Sequence, residues 1–467
     1  MNNTEFKTKE EVFAAAQKIL KKNLRSIIPK NEIGSVEAEV SRYGSKMKGL
    51  LGIYIQRYVF GKEPDNKNEA DFYLAGVELK TNPLKKHPTR KYTSKERLVF
   101  SMIDYDEVIK EVWRSSSFLE KNKFLLLMFY LHMQGQSIVD HEFKFIKQLD
   151  LLNVNDISAD DILQIQRDWE FIVAKIKAGE AHLLSEGDTY YLGACTKAQN
   201  SRILRDQPTS RIPAKPRAFS FKQQYLNYLI QRDLLGNKTE ADSLLEKARA
   251  KKVKAKTIEA VVHEEFAPFI GKTDKEIAAV LGWKSVGESK NYKRILVNRI
   301  FGVESNKIEE LEKANVTLKV LTLEHTGTLR ESISFPAFDY KDLVTQVWQD
   351  DDTEEMADLH ALLETQKFLF VVFQKVKDSD DIILRKTMFW NFPMKDLSEA
   401  ERVWQKTIDA INEGRYEDLP KMKDSSIVHV RPHGKDSSDT VETPQGTKEM
   451  KKCFWLNAKY IEKAIEN

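Results

Sequence analysis

Asp71 stands seven residues before Glu78, and Lys80 follows Glu78 at the next-but-one position of Gly76-Val77-Glu78-Leu79-Lys80-Thr81. Two carboxylates and a lysine of this kind suit hydrolysis of a phosphodiester. The side chains of Asp71 and Glu78, with the main-chain carbonyl of Leu79, are hard oxygen donors for a divalent cation such as Mg²⁺, which keeps several of its waters. A cation held there acidifies a water and offsets charge growing on the phosphoryl oxygens. Lys80 can orient or deprotonate that water, or stabilise the pentavalent transition state. The spacing alone is met equally well by a polar strand face, so the surroundings must decide.

Those surroundings are an α/β arrangement. Val77 and Leu79 alternate with Glu78 and Lys80, the period of a half-buried strand. Lys48 to Phe60 reads as a packed helix that stops at Gly61, and Val12, Phe13, Ala16, Ile19 and Leu20 mark an amphipathic helix before it. Leu98 to Ile103 is a further strand. Phe124 to Tyr130 is apolar throughout, as a central strand is. Ser158 caps a helix carrying Ile162, Ile165, Trp169, Ile172, Val173 and Ile176 on one face. Around Pro208 to Pro216 the chain reads as loop, and order returns over Phe219 to Leu229.

The pattern then repeats. Asn315-Val316-Thr317-Leu318-Lys319 keeps the apolar positions and the lysine of Gly76 to Lys80 but sets Thr317 where Glu78 stands. Lys95 to Trp113 matches Arg330 to Trp348 without a gap, sharing a Glu, a Phe, an Asp-Tyr and a Val-Trp. Arg294 to Phe301 with Gly302 answers the helix before Gly61, and Lys367 to Phe373 answers Lys123 to Phe129. Ser398 begins a helix in which Trp404 and Gly414 are spaced as Trp169 and Gly179. Phe454 and Tyr460 echo Phe219 and Tyr225. Correspondences in one order mark an internal duplication. The division expected is an N-terminal catalytic domain over 1–235, a connector over 236–256 and a non-catalytic, DNA-binding or regulatory copy over 257–467. The second copy keeps Lys319 but no matching carboxylate, and Val297 falls at Gln56. Arg431 and His433 sit where the first copy has a basic loop, which leaves this half able to bind DNA. His429 and His433 read as loop residues, without the cysteine or acidic partners of a zinc site.

A chain of 467 residues fits two domains. No stretch approaches the roughly 20 apolar residues of a membrane span, and the polar start is unlike a signal peptide. Two cysteines, Cys195 and Cys453, form no disulfide framework, which suits a cytoplasmic protein. Net charge is only +3, yet basic residues concentrate from Lys80 to Arg97 and from Lys197 to Lys222, each against a single acid. Segregated charge of this kind serves surfaces that follow phosphates, and solvated loops would show it too.

Lys48-Gly49-Leu50-Leu51-Gly52, Phe60-Gly61, Ala70-Asp71-Phe72 and Gly76 to Thr81 together resemble the opening of the MutH family of mismatch-repair endonucleases, which act at GATC. Lys197-Ala198-Gln199-Asn200-Ser201, with Arg217-Ala218-Phe219 after it, is similar to that family's recognition loop. The duplication, with Thr93 to Leu98 and Ser185-Glu186-Gly187, resembles more closely the two-domain type II restriction endonucleases that cleave GATC. The resemblance covers nearly the whole chain. It implies two tandem restriction-endonuclease-type domains, each a central mixed sheet flanked by helices, the second degenerate. Asp71, Glu78 and Lys80 become the catalytic and metal-binding set, with Leu79 as a further metal ligand and Mg²⁺ as cofactor. Lys197 becomes the reader of a guanine edge, and Asn200, Ser201, Arg202, Arg217 and Lys95 neighbouring DNA contacts. Gln56 stands where the family often places a glutamate near the metal. Cys195-Thr196 stands where MutH has Arg-Pro.

The expectation is a Mg²⁺-dependent type II endonuclease of a restriction–modification system that cleaves double-stranded DNA at GATC. With one active site per chain and a palindromic target, two chains are expected to meet on the DNA. A cognate methyltransferase would be its functional partner. A strand-specific mismatch-repair nickase and a catalytically silent DNA-binding regulator are the competing readings.

Overall fold

The computed structural model describes residues 5–43, 49–64, 69–198, 203–237, 241–251, 257–284, 287, 289, 291–304, 306–350 and 356–466. The chain divides into two compact units near residue 239. No helix among the described residues is long and apolar enough to cross a membrane.

The first unit opens with α1 (Lys9–Gln17), α2 (Ile33–Tyr43) and α3 (Leu50–Phe60). Thr8 and Glu11 close a capping box on α1, fixing its start. Gly61 ends α3 in the left-handed conformation at φ 63°, and the next N–H, from Lys62, returns to Gln56 O at 2.9 Å. Strands β1 (Glu78–His87), β2 (Lys91–Ser94) and β3 (Leu98–Met102) follow, then α4 (Tyr105–Val108), α5 (Ser117–Asn122), β4 (Phe124–Leu131), β5 (Phe143–Asp150) and α6 (Ala159–Lys177). The unit closes with β6 (Leu192–Thr196), β7 (Arg205–Gln207), β8 (Ser210–Ala214), β9 (Arg217–Phe221) and α7 (Gln223–Leu229).

The main sheet runs β2-β1-β4-β5, with β1 and β4 parallel and the other pairs antiparallel. Helices α1 and α3 pack on one face through Val12, Ala16, Tyr54 and Ile55 against Val77, Leu79, Leu126 and Met128. A smaller sheet, β3-β9-β6, brings Phe100, Phe219 and Phe221 to an aromatic cluster with Phe118 of α5. The apolar run from Phe124 is central, as its composition requires. The segment read as loop around Pro208 instead forms the hairpin β7–β8, turning at Thr209 with φ 62°. Ladders this short leave no alternation in the sequence, and Pro213 marks an edge strand.

The second unit begins with α8 (Leu244–Ala250), inside the segment expected as connector, then α9 (Ile258–Phe266), α10 (Asp274–Val280), α11 (Tyr292–Phe301) and α12 (Glu309–Lys313). It continues through β10 (Val316–Leu323), β11 (Ile333–Ala337), α13 (Tyr340–Leu343), α14 (Asp358–Thr365), β12 (Lys367–Lys375), β13 (Ile382–Asn391) and α15 (Leu397–Asn412). Asp396, rather than Ser398, sits at the N-cap of α15. The end is β14 (Val428–Pro432), β15 (Thr440–Glu442), β16 (Lys448–Met450), β17 (Lys452–Leu456) and α16 (Ala458–Glu466).

Sheets β10-β12-β13 and β11-β17-β14 repeat β1-β4-β5 and β3-β9-β6 in order and direction. Register sharpens the sequence match. Glu78 pairs with Leu125 while Thr317 pairs with Phe368, so Phe368 corresponds to Leu125, one residue from the alignment by sequence. Both strands carry an unbroken apolar and aromatic run, Phe124–Leu131 and 368–373, and without alternation there the sequence cannot fix register.

Candidate active site

A tight turn brings the two carboxylates together. Phe72 and Val77 pair in an isolated antiparallel bridge, and Gly76 between them takes φ +63°. A side chain is disfavoured in that conformation, which is the local reason for glycine. The turn folds Asp71 back over the start of β1. Asp71 Oδ2 accepts the N–H of Leu79 at 3.0 Å, and Glu78 Oε2 accepts the N–H of Asp71 at 3.0 Å. Gln56 on α3 donates Nε2 to Asp71 Oδ1 at 2.6 Å, and Lys62, just past the helix end, donates to Asp71 O. Lys80 Nζ lies 2.9 Å from Glu78 Oε1 and donates to Phe100 O of β3 at 2.8 Å. Gln56 and Asp71 thus meet the consecutive Glu78, Leu79 and Lys80 at one place.

That place is an open edge. β2 pairs with β1 only from Leu84 onward, so nothing in the ladders covers Glu78 to Pro83 on the side away from β4. Because Leu79 N–H points to Asp71 and a strand residue's N–H and C=O share a side, Leu79 O also faces this edge. The face carrying Glu78 is not solvated, however. Glu78 is 3 % exposed beneath β3, which is tighter than the half-buried strand expected from alternation.

Burial pushes the Glu78 carboxyl above the usual range; the charge of Lys80 opposes this, Asp71 adds to it, and Lys121 of α5 opposes it further. Lys62 and Lys121 are site cations that no motif flagged, because only the turn and α5 bring them near. Among the described residues no group of three His, Cys, Asp or Glu side chains is placed to hold a metal. The donors here are two carboxylates, the Leu79 carbonyl and an amide. Gln56 Oε1 is buried without a hydrogen-bond partner. An orphaned oxygen beside paired carboxylates fits a hard cation, whose charge would reverse the penalty on Glu78.

The basic loop follows β6. Lys197 is half-buried, and its N–H is fixed by Pro216 O at 2.9 Å. Asn200, Ser201 and Arg202 lie outside the described residues. Arg217, expected at the DNA surface, is instead 2 % exposed and donates Nη1 to Ala194 O at 2.8 Å. That bond ties β9 to β6 at Ala194. Lys95 is half-buried, with its backbone pinned by Pro83 O and by Gln223 Nε2, both at 2.8 Å. Asp168 of α6 orients the start of β6, accepting N–H groups of Tyr190, Tyr191 and Leu192.

In the second unit Asn315 takes φ 56°, the counterpart of Gly76, and Asn tolerates that region. Val297 is buried at the place of Gln56, and Thr317 Oγ1 accepts from Gln366. Burial without a carboxylate lowers the Lys319 ammonium. One carboxylate does survive. Glu310 precedes Lys319 by nine residues, as Asp71 precedes Lys80. It turns to α8, accepting from Ser243 Oγ at 2.7 Å, Leu244 N at 2.8 Å and Leu245 N at 3.1 Å. At the loop, β14 pairs with β17 as β6 pairs with β9, which sets Arg431-Pro432-His433 where Cys195-Thr196-Lys197 stands. His433 N–H binds Lys451 O at 2.8 Å, matching Lys197 to Pro216. All three are exposed, and Arg431 lies 5.2 Å over the Trp455 ring. His429, read as a loop residue, is a buried member of β14 bonded to Asn457.

The family model of the DNA mismatch repair enzyme MutH matches residues 60–168. The type II restriction enzyme Sau3AI of Staphylococcus aureus is 31 % identical over 455 residues, covering 87 % of this chain and 90 % of that protein. The DNA mismatch repair protein MutH of Shigella flexneri serotype 5b (strain 8401) is 24 % identical over 232 residues, 49 % of this chain and 94 % of its own.

Proposed function

The chain belongs to the family of the type II restriction enzyme Sau3AI, a restriction endonuclease family acting on DNA, and from that premise we propose that it cleaves double-stranded DNA at GATC with Mg²⁺. The observation that carries this reading is the gathering of Asp71, Glu78 and Lys80 along the open edge of β1, beside the unpartnered Gln56 Oε1. Asp71, Glu78, Leu79 O and Gln56 Oε1 would hold the cation. Once bound, Mg²⁺ supplies Lewis acidity toward a phosphoryl oxygen and a water.

Lys80 supplies the rest. An ammonium has three donors. One goes to Phe100 O and one to Glu78 Oε1, which leaves the third for the attacking water or a phosphoryl oxygen. Fixed in this way, the group needs no reorganisation as charge develops. Lys197 reads a guanine edge, with Asn200, Ser201, Arg202 and Lys95 beside it, and Arg217 holds β6 under the loop. The second unit binds DNA through Arg431 and His433. One acidic cluster per chain facing a palindrome calls for two chains on the DNA. A cognate methyltransferase protects the host's own sites.

Unmethylated GATC plasmid incubated with protein and Mg²⁺ is the test. Discrete double-strand cuts support the reading. Accumulation of nicks favours a mismatch-repair nickase, and a gel shift without cutting favours a silent regulator.

A further inference from the structure

At the opposite end of the first unit's main sheet lies a cavity of about 590 Å³ that the cleavage site does not use. Lys86 on its wall is eight residues along β1 from Glu78, roughly 26 Å at about 3.3 Å per residue. Lys21, Lys22 and Lys144 also line it, with Asp140 and Glu142. The acids are already committed. Asp140 takes both Nε and Nη2 of Arg25, at 2.5 and 2.9 Å, and Glu142 takes Lys144 at 2.5 Å. Among the described residues Lys21, Lys22 and Lys86 have no ion pair or side-chain hydrogen bond.

The backbone at two of the lysines is also held in place. Lys21 N–H donates to Phe143 O at 2.8 Å, and Phe143 N–H donates to Lys22 O at 2.9 Å. This reciprocal pair keeps Lys21 at φ 60°, a conformation that costs a residue with a side chain. Four lysines against two carboxylates, each already ion-paired, give the concavity a net positive lining that selects an anion. Beyond the rim the positive charge continues on the exposed Lys85, Arg90 and Lys91 of the β1–β2 hairpin. A track longer than the cavity matches a linear polyanion better than a compact one.

We propose that this cavity is a second nucleic-acid subsite, which takes backbone phosphates of DNA lying outside the recognition sequence. The separation of roughly 26 Å corresponds to about eight base pairs of duplex at about 3.4 Å each. The inference rests on DNA being the substrate, and on no role assigned to Asp71, Glu78 or Lys80.

The full chain is tested on two duplexes bearing one GATC, of about 12 and about 40 base pairs, by cleavage and by equilibrium binding across a salt series. Wild type is expected to favour the long duplex about tenfold at low salt. The triple variant Lys21→Gln, Lys22→Gln, Lys86→Gln should lose that preference, with its salt slope on the long duplex reduced by about 2 to 3. Its rate on the short duplex should match wild type. A triple variant that keeps the preference and the slope overturns the proposal. So does pyrophosphate or a mononucleotide that competes in wild type but not in the variant, because the ligand is then a compact phosphate. Failure of wild type to cut either duplex would instead sink the cleavage reading, while binding still decides this one.

Discussion

The leading edges of β1 and β10 are one scaffold with opposite electrostatics. Each follows a left-handed residue, Gly76 or Asn315, and pairs in parallel with an apolar strand. Each also faces a helix ended by a left-handed glycine, Gly61 or Gly302. Along β1, Glu78 meets Lys80 and Asp71 closes on Leu79. Along β10, Thr317 has replaced the glutamate, Lys319 has no counter-charge, and Glu310 has been drawn off to hold α8. Backbone geometry is shared where the side chains are not, so the proposed activity would belong to side chains grafted on the fold. The loops after β6 and β14 differ the other way. The first unit carries Cys195-Thr196-Lys197 partly buried, and the second displays Arg431-Pro432-His433 in the open.

The largest effect expected is at the shared lysine. Lys80→Ala should cut cleavage about a thousandfold, the scale for losing one preorganised donor to a transition state. DNA binding should be nearly unchanged. Lys319→Ala should leave cleavage within about twofold of wild type, because no transition state forms there. Comparable losses at both lysines, measured as single-turnover rates, would break the comparison.

Glu310 offers the next test. A 2 % exposed carboxylate accepting three donors leaves all three unsatisfied when removed, so Glu310→Ala should destabilise the second unit by roughly 2–3 kcal/mol. Hydrogen exchange should rise at α8 and stay level at β1. Uniform exchange in both units would show that the carboxylate is not the anchor of α8.

Much of this contrast was legible in the sequence. The duplication, the central strand at Phe124 and the loss of Glu78 in the second copy follow from side-chain type at fixed spacing. What escaped depended on three-dimensional closure. Glu310 is not legible as a counterpart of Asp71, because α12 replaces the turn there and aims the side chain at α8. The burial of Arg217 is invisible to charge counting, since an arginine under a strand and one on a DNA surface look alike in sequence. The Arg-Pro at 431–432 emerged only when the β14–β17 register set it against Cys195-Thr196.

Glu78 itself provides a smaller, signed effect. Burial raises its carboxyl pKa, so folding favours the protonated form. Without metal, the stability this group supports is full at low pH and falls as pH rises through the raised value. Glu78→Gln should therefore raise the melting temperature of metal-free protein at neutral pH while abolishing cleavage. Mg²⁺ should stabilise wild type and leave the variant unmoved. A melting temperature lowered by the substitution at neutral pH would contradict the penalty.

The smallest effect, at Gln56, discriminates most finely, because this position differs between the proposed catalytic edge and its counterpart, which carries Val297. Gln56 Nε2 donates to Asp71 Oδ1, and its oxygen has no partner. Gln56→Glu removes that donor and sets a carboxylate against Asp71, so metal-free protein should melt a few degrees lower. Once Mg²⁺ is present the added charge becomes a ligand, and half-maximal cleavage should need several-fold less metal, since affinity rises with ligand charge. The two shifts oppose each other only if Gln56 faces the cation. A lower melting temperature with an unchanged Mg²⁺ requirement would place the metal away from α3, leaving Asp71, Glu78 and Leu79 O to hold it without the amide.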